Sequence, residues 1–133
     1  MTTLTKLTAL SPLDGRYHGK VDALRAYFSE FGLIRFRVLI EIEWLKALST
    51  QADIVEITPF STATIAQLDA LNANFCEADA LAIKTIETTT NHDVKAVEYW
   101  LRDKLSGHPE TAKALEFIHF ACTSEDINNS AMR

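Results

Sequence analysis

Apolar residues recur at every third or fourth position along most of this chain, and that spacing restricts the possible folds more than any other feature. Residues spaced in this way share one face of an α-helix, which has 3.6 residues per turn. The clearest run extends from about Leu24 to Leu48 and predicts a largely buried helix, broken near Gly32. Its apolar stripe comprises Leu33, Phe36, Ile40 and Trp44, widened by Ile34, Val38 and Leu45.

The later segments show the same spacing and are separated by residues typical of turns. Pro59 disfavours a helical residue before it, so Ser61 or Thr62 can cap the next helix. Four helices are expected. The first carries Ile65, Leu68, Leu71 and Phe75, and the second extends from Glu77 to Glu87 with Leu81 and Ile86 inward. The third carries Val94, Val97, Leu101 and Leu105 and is ended by Gly107-His108-Pro109, and the fourth begins at about Thr111 with Leu115, Ile118 and Cys122 on one face. No stretch alternates long enough to predict a strand, so the sequence predicts an all-α fold.

Arg37 and Glu41 lie four residues apart on the polar side of the first long helix. A charge pair at this spacing usually stabilises a helix by a few tenths of a kcal/mol. We therefore expect these two residues to have no role beyond that pairing.

The leader of the chain contains a turn. Ser11-Pro12-Leu13-Asp14-Gly15-Arg16-Tyr17 has an early Pro and then an Asp-Gly pair, which together favour a turn over a helix or strand. Arg16 and Tyr17 are therefore expected on a loop, where the forked donors of an arginine suit phosphate oxygens.

Composition excludes several classes of function. The chain has 133 residues, of which 47% are hydrophobic, enough for one globular domain. Its 13 basic and 18 acidic residues give a net charge of −5 without a basic cluster, so we expect no nucleic-acid partner. No apolar run can span a bilayer and the N-terminus has no signal-peptide core, which predicts no membrane association and a cytoplasmic location. Two distant cysteines are expected to be reduced.

Two polar stretches stand out from this helical pattern. Thr88-Thr89-Thr90-Asn91-His92-Asp93 and Cys122-Thr123-Ser124-Glu125-Asp126 each precede a predicted helix. Backbone N–H groups at a helix start lack intrahelical partners and favour a bound anion. A phosphate or a dicarboxylate would suit both places.

Helix capping is the simpler explanation of these stretches. Thr90-x-x-Asp93 and Thr123-x-x-Asp126 both have the form of a capping box. However, Asn91-His92-Asp93 places three polar side chains where one cap residue would suffice. This excess favours a binding site.

A metal site is not expected. His119 and Cys122 are three residues apart on a predicted helix, but no further pair has the spacing of zinc ligands. We therefore predict no metal and no cofactor, and a His119 that lines a pocket.

Three segments of the chain carry a specific family resemblance. They are the leader from Ser11 to Tyr17, the stretch from Lys84 to Tyr99 around Asn91-His92-Asp93, and the stretch from Glu116 to Asn129 around Thr123-Ser124. Together they resemble the N-terminal portion of the bacterial adenylosuccinate lyases, within the aspartase/fumarase superfamily. The resemblance extends over nearly all of this chain but over only about the first third of the enzyme.

The resemblance implies roles for seven residues, all in substrate binding. Arg16 would bind the nucleotide phosphate beside Tyr17, the motif Asn91-His92-Asp93 would contact the substrate, and Thr123 and Ser124 would bind its succinyl end. His119 falls where members of the family can carry a histidine near the ligand. The implied partner is a small-molecule nucleotide.

The reaction of this family is a β-elimination that releases fumarate from adenylosuccinate, giving AMP, and from the succinyl-carboxamide ribotide of purine synthesis. A base removes the proton alpha to a carboxylate, and an acid protonates the departing nitrogen. In the family these groups are a histidine and a serine in later segments that have no match in this sequence. We therefore assign no catalytic residue and expect the chain alone to be inactive.

The resemblance also implies a domain division and an assembly. Residues 1–108 would form the N-terminal helical domain, residues 109–133 would begin the central helical bundle, and full-length members are homotetramers. Two alternatives to this assignment remain. In the first, the chain is a small helical binding or interaction module in which the Thr-rich stretches only cap helices. In the second, it belongs to a related fumarate-releasing lyase with another substrate.

Overall fold

The structure is a computed structural model that describes residues 3–132. Every regular element in this range is a helix and none is a strand, so the all-α prediction is confirmed. The chain divides into two compact units, Met1–Gly32 and Leu33–Arg133. No helix among the described residues is long and apolar enough to cross a bilayer.

The first unit contains the predicted leader turn. The N–H of Gly15 donates to the Ser11 carbonyl oxygen at 3.0 Å, and the N–H of Tyr17 donates to that of Pro12 at 2.9 Å. A Cβ on Gly15 would lie 2.5 Å from the backbone oxygen of Lys6, so this turn requires glycine. Two single 3₁₀ turns, His18–Lys20 and Asp22–Leu24, and helix α1, Arg25–Phe28, complete the unit.

The break before the first long helix lies at Ser29, earlier than predicted. Helix α2 spans Glu30–Ser49, and Ser29 Oγ accepts a hydrogen bond from the Gly32 N–H at 3.1 Å. Gly32 is itself helical. A Cβ there would lie 2.8 Å from the backbone oxygens of Ala26 and Tyr27, so the glycine permits close packing and does not end the helix.

Helix α2 is largely buried, as predicted, but of the predicted stripe only Ile34, Val38 and Leu45 lie on its buried face. Leu33, Phe36, Ile40 and Trp44 are only half-buried. The helix bears apolar residues on several sides, so their spacing alone cannot identify the core face. That face consists of Ile34, Arg37, Val38, Glu41, Ile42, Leu45, Leu48 and Ser49.

The second unit continues with five further helices. They are α3 (Thr62–Ala73), α4 (Glu77–Thr90), α5 (Asp93–Ser106), α6 (Pro109–Ala112) and α7 (Ser124–Ala131), with a single 3₁₀ turn at Leu115–Phe117. Ser61 caps α3, as predicted, because its side chain accepts the Thr64 N–H at 3.3 Å.

Helices α4 and α5 pack against each other and supply much of the core. Ala80 and Ile83 are the buried residues of α4, whereas Leu81 is 66% exposed and Ile86 is half-buried, so the prediction that Leu81 points inward is wrong. Phe75, just before α4, meets the ring of Trp100 edge to face at 5.5 Å. Only two residues separate α4 from α5, so the end of one helix lies close to the start of the other.

The helix predicted from about Thr111 to Cys122 does not form. Helix α6 ends at Ala112, and residues 118–123 are irregular, with positive φ angles at His119 (62°) and Ala121 (59°). Trp44 Nε1 donates to the Phe120 carbonyl oxygen at 2.8 Å, so a side chain from α2 bonds this segment. Tertiary contacts override the helical spacing here.

Candidate functional site

The two polar stretches meet in the second unit. His92 Nε2 lies 3.3 Å from Ser124 Oγ, and each residue is at the start of a helix, α5 and α7 respectively. The structure therefore brings together segments that lie more than 30 residues apart in the sequence.

The first stretch is shorter than the sequence indicates. Thr88, Thr89 and Thr90 belong to α4, so only Asn91 and His92 separate the two helices. The predicted cap by Thr90 is wrong, because the His92 Nδ1 accepts the Lys95 N–H at 3.1 Å and caps α5. Histidine is not among the residues that usually cap helices, so capping preferences point to Thr90 and not to His92.

Asn91 ends α4 in the left-handed conformation, with φ 50° and ψ 32°. Its N–H donates to the Glu87 carbonyl oxygen at 2.8 Å. Asparagine tolerates this backbone conformation better than most residues. The exposed amide of Asn91 therefore has a structural explanation as well as the binding role that we predict.

Asp93 is held by a buried arginine. Arg37 Nη2 donates to Asp93 Oδ2 at 2.6 Å, and Arg37 Nε donates to Asn128 Oδ1 at 2.9 Å. The Arg37 side chain is only 8% exposed, so the prediction of an arginine engaged only with Glu41 is wrong. One guanidinium thus joins the start of α5 to α7.

The contacts of Asp93 determine its protonation. Partial burial alone would raise the pKa of this carboxyl, but hydrogen bonding from the Val94 N–H, at 2.8 Å, and the charge of Arg37 outweigh burial and lower it. The carboxylate is therefore the stable form at neutral pH.

The lowered pKa of Asp93 predicts a specific loss of stability in acid. Because the folded pKa lies below the unfolded value of about 3.9, Asp93 stabilises the fold above that value, and this contribution is lost as the pH falls through the folded pKa. Urea unfolding between about pH 5 and about pH 3 should show a larger loss of unfolding free energy for the wild-type chain than for Asp93→Asn. Equal losses would contradict this role.

The second stretch forms the predicted capping box. The Asp126 carboxylate accepts the Thr123 N–H at 2.7 Å and the Thr123 hydroxyl at 2.9 Å. These bonds lower the pKa of Asp126, first through the backbone N–H. Since the Thr123 hydroxyl hydrogen is used, only its lone pairs remain for another partner.

His119 pairs with Glu41, another residue for which the sequence predicted only a local charge pair. Glu41 Oε1 lies 2.6 Å from His119 Nδ1, and the Glu41 side chain is completely buried. Burial raises the pKa of Glu41, and the hydrogen bond with His119 opposes that effect. The sequence did not predict this burial, because the only pattern that involves Glu41 is its four-residue spacing from Arg37.

Arg16 and Tyr17 belong to the first unit. Both are exposed, and the Arg16 guanidinium lies 5.7 Å from the centroid of the Tyr17 ring. Their loop placement is confirmed. Their participation in a site with the second unit stays a prediction.

Ser124 at the start of α7 and Asn91 at the end of α4 offer a half-buried hydroxyl and an exposed amide. Among the described residues no group of three or more His, Cys, Asp and Glu side chains could hold a metal ion.

Comparison with known proteins relates this chain to lyases. Residues 15–133 match the sequence model of a family described as lyase. The chain is similar to the adenylosuccinate lyase of Haemophilus influenzae, at 64% identity over 95% of this chain, and to those of Vibrio cholerae and Escherichia coli K12, each at 59% identity over 96% and 95% of it. It spans 28% of the length of each of these relatives.

Proposed function

Because the chain belongs to the lyase family, we propose that it forms the N-terminal portion of an adenylosuccinate lyase and supplies part of the substrate site. The enzyme would release fumarate from adenylosuccinate and from the succinyl-carboxamide ribotide of purine synthesis. The contact of 3.3 Å between His92 and Ser124 carries the proposal, because it joins the two polar segments on which the family resemblance rests.

The proposed binding roles fall to three sets of residues. Arg16, with Tyr17 beside it, receives the nucleotide phosphate through paired N–H donors. Asn91, His92 and Asp93 contact the substrate, and Thr123 and Ser124 bind its succinyl end. The Arg37 bonds to Asp93 and Asn128 support this arrangement, because they hold the two segments of the second unit together.

These residues bind and orient the substrate, and proton transfer belongs to other parts of the enzyme. The elimination creates negative charge next to a carboxylate, so positioned donors lower its barrier. The family's acid and base have no counterpart in this sequence. We therefore propose that the chain by itself releases no fumarate, and that it works in the cytoplasm within a homotetramer.

A chimera tests this function. We would replace the matching 126 residues of the Haemophilus influenzae enzyme with this chain and follow fumarate release by ultraviolet absorbance. The chimera should be active, and Arg16→Ala and Ser124→Ala should each lower kcat/KM by about tenfold, because each removes a hydrogen bond to a charged group. The chain alone should show no turnover.

Matched controls make the result specific. Lys20→Ala and Ser130→Ala remove an exposed cation and an exposed hydroxyl near the same positions in the sequence and should leave kcat/KM within about twofold. An inactive chimera that is folded, or equal losses in test and control variants, would refute the proposed function.

The capping observations favour a second candidate, a helical interaction module without a substrate. His92 caps α5 and Asp126 caps α7, so part of each polar stretch has a structural use. Titration of the chain with adenylosuccinate separates the candidates. Under this alternative Ser124→Ala changes stability but no nucleotide affinity.

A further inference from the structure

Glu41 is a buried carboxylate with one partnered oxygen. Oε1 lies 2.6 Å from His119 Nδ1, whereas Oε2 is enclosed and has no hydrogen-bond partner among residues 3–132. Burying a carboxylate costs free energy unless both oxygens are well paired. Stability alone therefore gives no reason for an acid at this position.

The backbone around His119 is held in an unusual conformation. His119 and Ala121 have φ angles of 62° and 59°, and the Cys122 N–H closes the turn on the His119 carbonyl oxygen at 3.2 Å. Such left-handed residues cost free energy and persist only where surrounding contacts fix them. Helix α2 provides two such contacts, through Glu41 and through the bond from Trp44 to Phe120.

The charges around Glu41 favour a positive partner. Glu98 on α5 is close enough to raise the pKa of Glu41, after the larger effect of burial, and its own carboxylate binds Lys95 Nζ at 2.7 Å. Burial, followed by the charge of Glu41, raises the pKa of the Cys122 thiol, so this thiol stays neutral. Asp126 also interacts electrostatically with His119.

We propose that Glu41 is a positioning residue for His119, accepting the Nδ1 proton and leaving Nε2 as the ring atom available to a ligand. The inference rests on the proposed function, because the turn of His119 leads directly into Thr123 and Ser124, where the anionic substrate is expected. With Nδ1 occupied, a proton taken from solvent enters at Nε2. The resulting imidazolium and carboxylate form a neutral pair, and Nε2–H donates to an anionic group of the ligand.

The first test observes the ring directly in this chain. The ¹⁵N chemical shifts of the His119 ring in the neutral form should show the proton on Nδ1, and Glu41→Leu should move it to Nε2. Glu43→Gln, an exposed acid on the same helix, should leave the ring unchanged. A wild-type ring without a proton on Nδ1 would overturn the proposal.

The second test measures function in the chimera described above. Glu41→Gln keeps the size of the side chain but removes its charge, so KM should rise about tenfold, with kcat within about threefold. An unchanged KM, or a loss confined to kcat, would overturn the proposal even if Glu41→Gln altered stability.

The two tests distinguish a failure of this proposal from a failure of the proposed function. An inactive chimera with the unmodified chain would refute the proposed function, while the ring shifts would still decide whether Glu41 positions His119. If Glu41→Leu fails to fold, the ring shifts of the wild-type chain still decide on which nitrogen the proton lies.

Discussion

Truncation of Ile83 to alanine should lower the free energy of unfolding of the chain by about 3 kcal/mol, because it removes a fully buried side chain and leaves a cavity. The same truncation at Leu81, two residues earlier on α4, should change it by less than about 0.5 kcal/mol, because that side chain is 66% exposed. Urea denaturation followed by circular dichroism measures both values.

This pair of variants tests which face of α4 contacts the core. Both residues are aliphatic, lie within one helix and are replaced by the same residue, so helix propensity contributes little to the difference between them. Equal costs, or a larger cost at Leu81, would mean that α4 is rotated from the orientation described above.

Replacement of Arg37 by methionine should lower the free energy of unfolding by about 2 kcal/mol, because it breaks charge-assisted bonds to Asp93 and Asn128 from a buried position. The cost stays below that of a fully buried ion pair because Asp93 is 45% exposed and regains water. Activity of the chimera should fall about tenfold as well, since the two polar segments lose their common link.

Two further variants define the role of Arg37. Arg37→Lys keeps the positive charge but carries its N–H donors on one flexible nitrogen in place of the rigid fork that reaches both Asp93 and Asn128, so it should recover only part of the loss. Lys113→Met removes an exposed cation and should cost less than about 0.5 kcal/mol. Full recovery with lysine would show that charge alone matters.

The helices were predictable from the sequence because apolar spacing and local caps act over a few residues. Ser61 and the box of Thr123 and Asp126 are confirmed, and so is the end of α5 before Gly107. The core face of α2 was predictable only in part, through Ile34, Val38 and Leu45, because apolar residues occur on several of its sides. Its orientation depends on the elements that pack against it, which lie far away in the sequence.

The candidate site was predictable in part for the same reason. Asn91, His92, Asp93, Thr123 and Ser124 form two short local motifs that can be recognised in the sequence, whereas the contact of 3.3 Å between His92 and Ser124 appears only in the structure. Arg37 and Glu41 resemble an ordinary helical charge pair. Their burial and their partners Asp93 and His119 appear only in three dimensions.

The cap at the start of α5 determines the direction of a hydrogen-bond relay. A backbone N–H can only donate, so His92 Nδ1 must accept the Lys95 N–H. The single hydrogen of the neutral ring is then on Nε2, and Ser124 Oγ, 3.3 Å away, must accept it. The Ser124 hydroxyl hydrogen consequently points away from His92, so the cap of α5 also orients the O–H bond of Ser124.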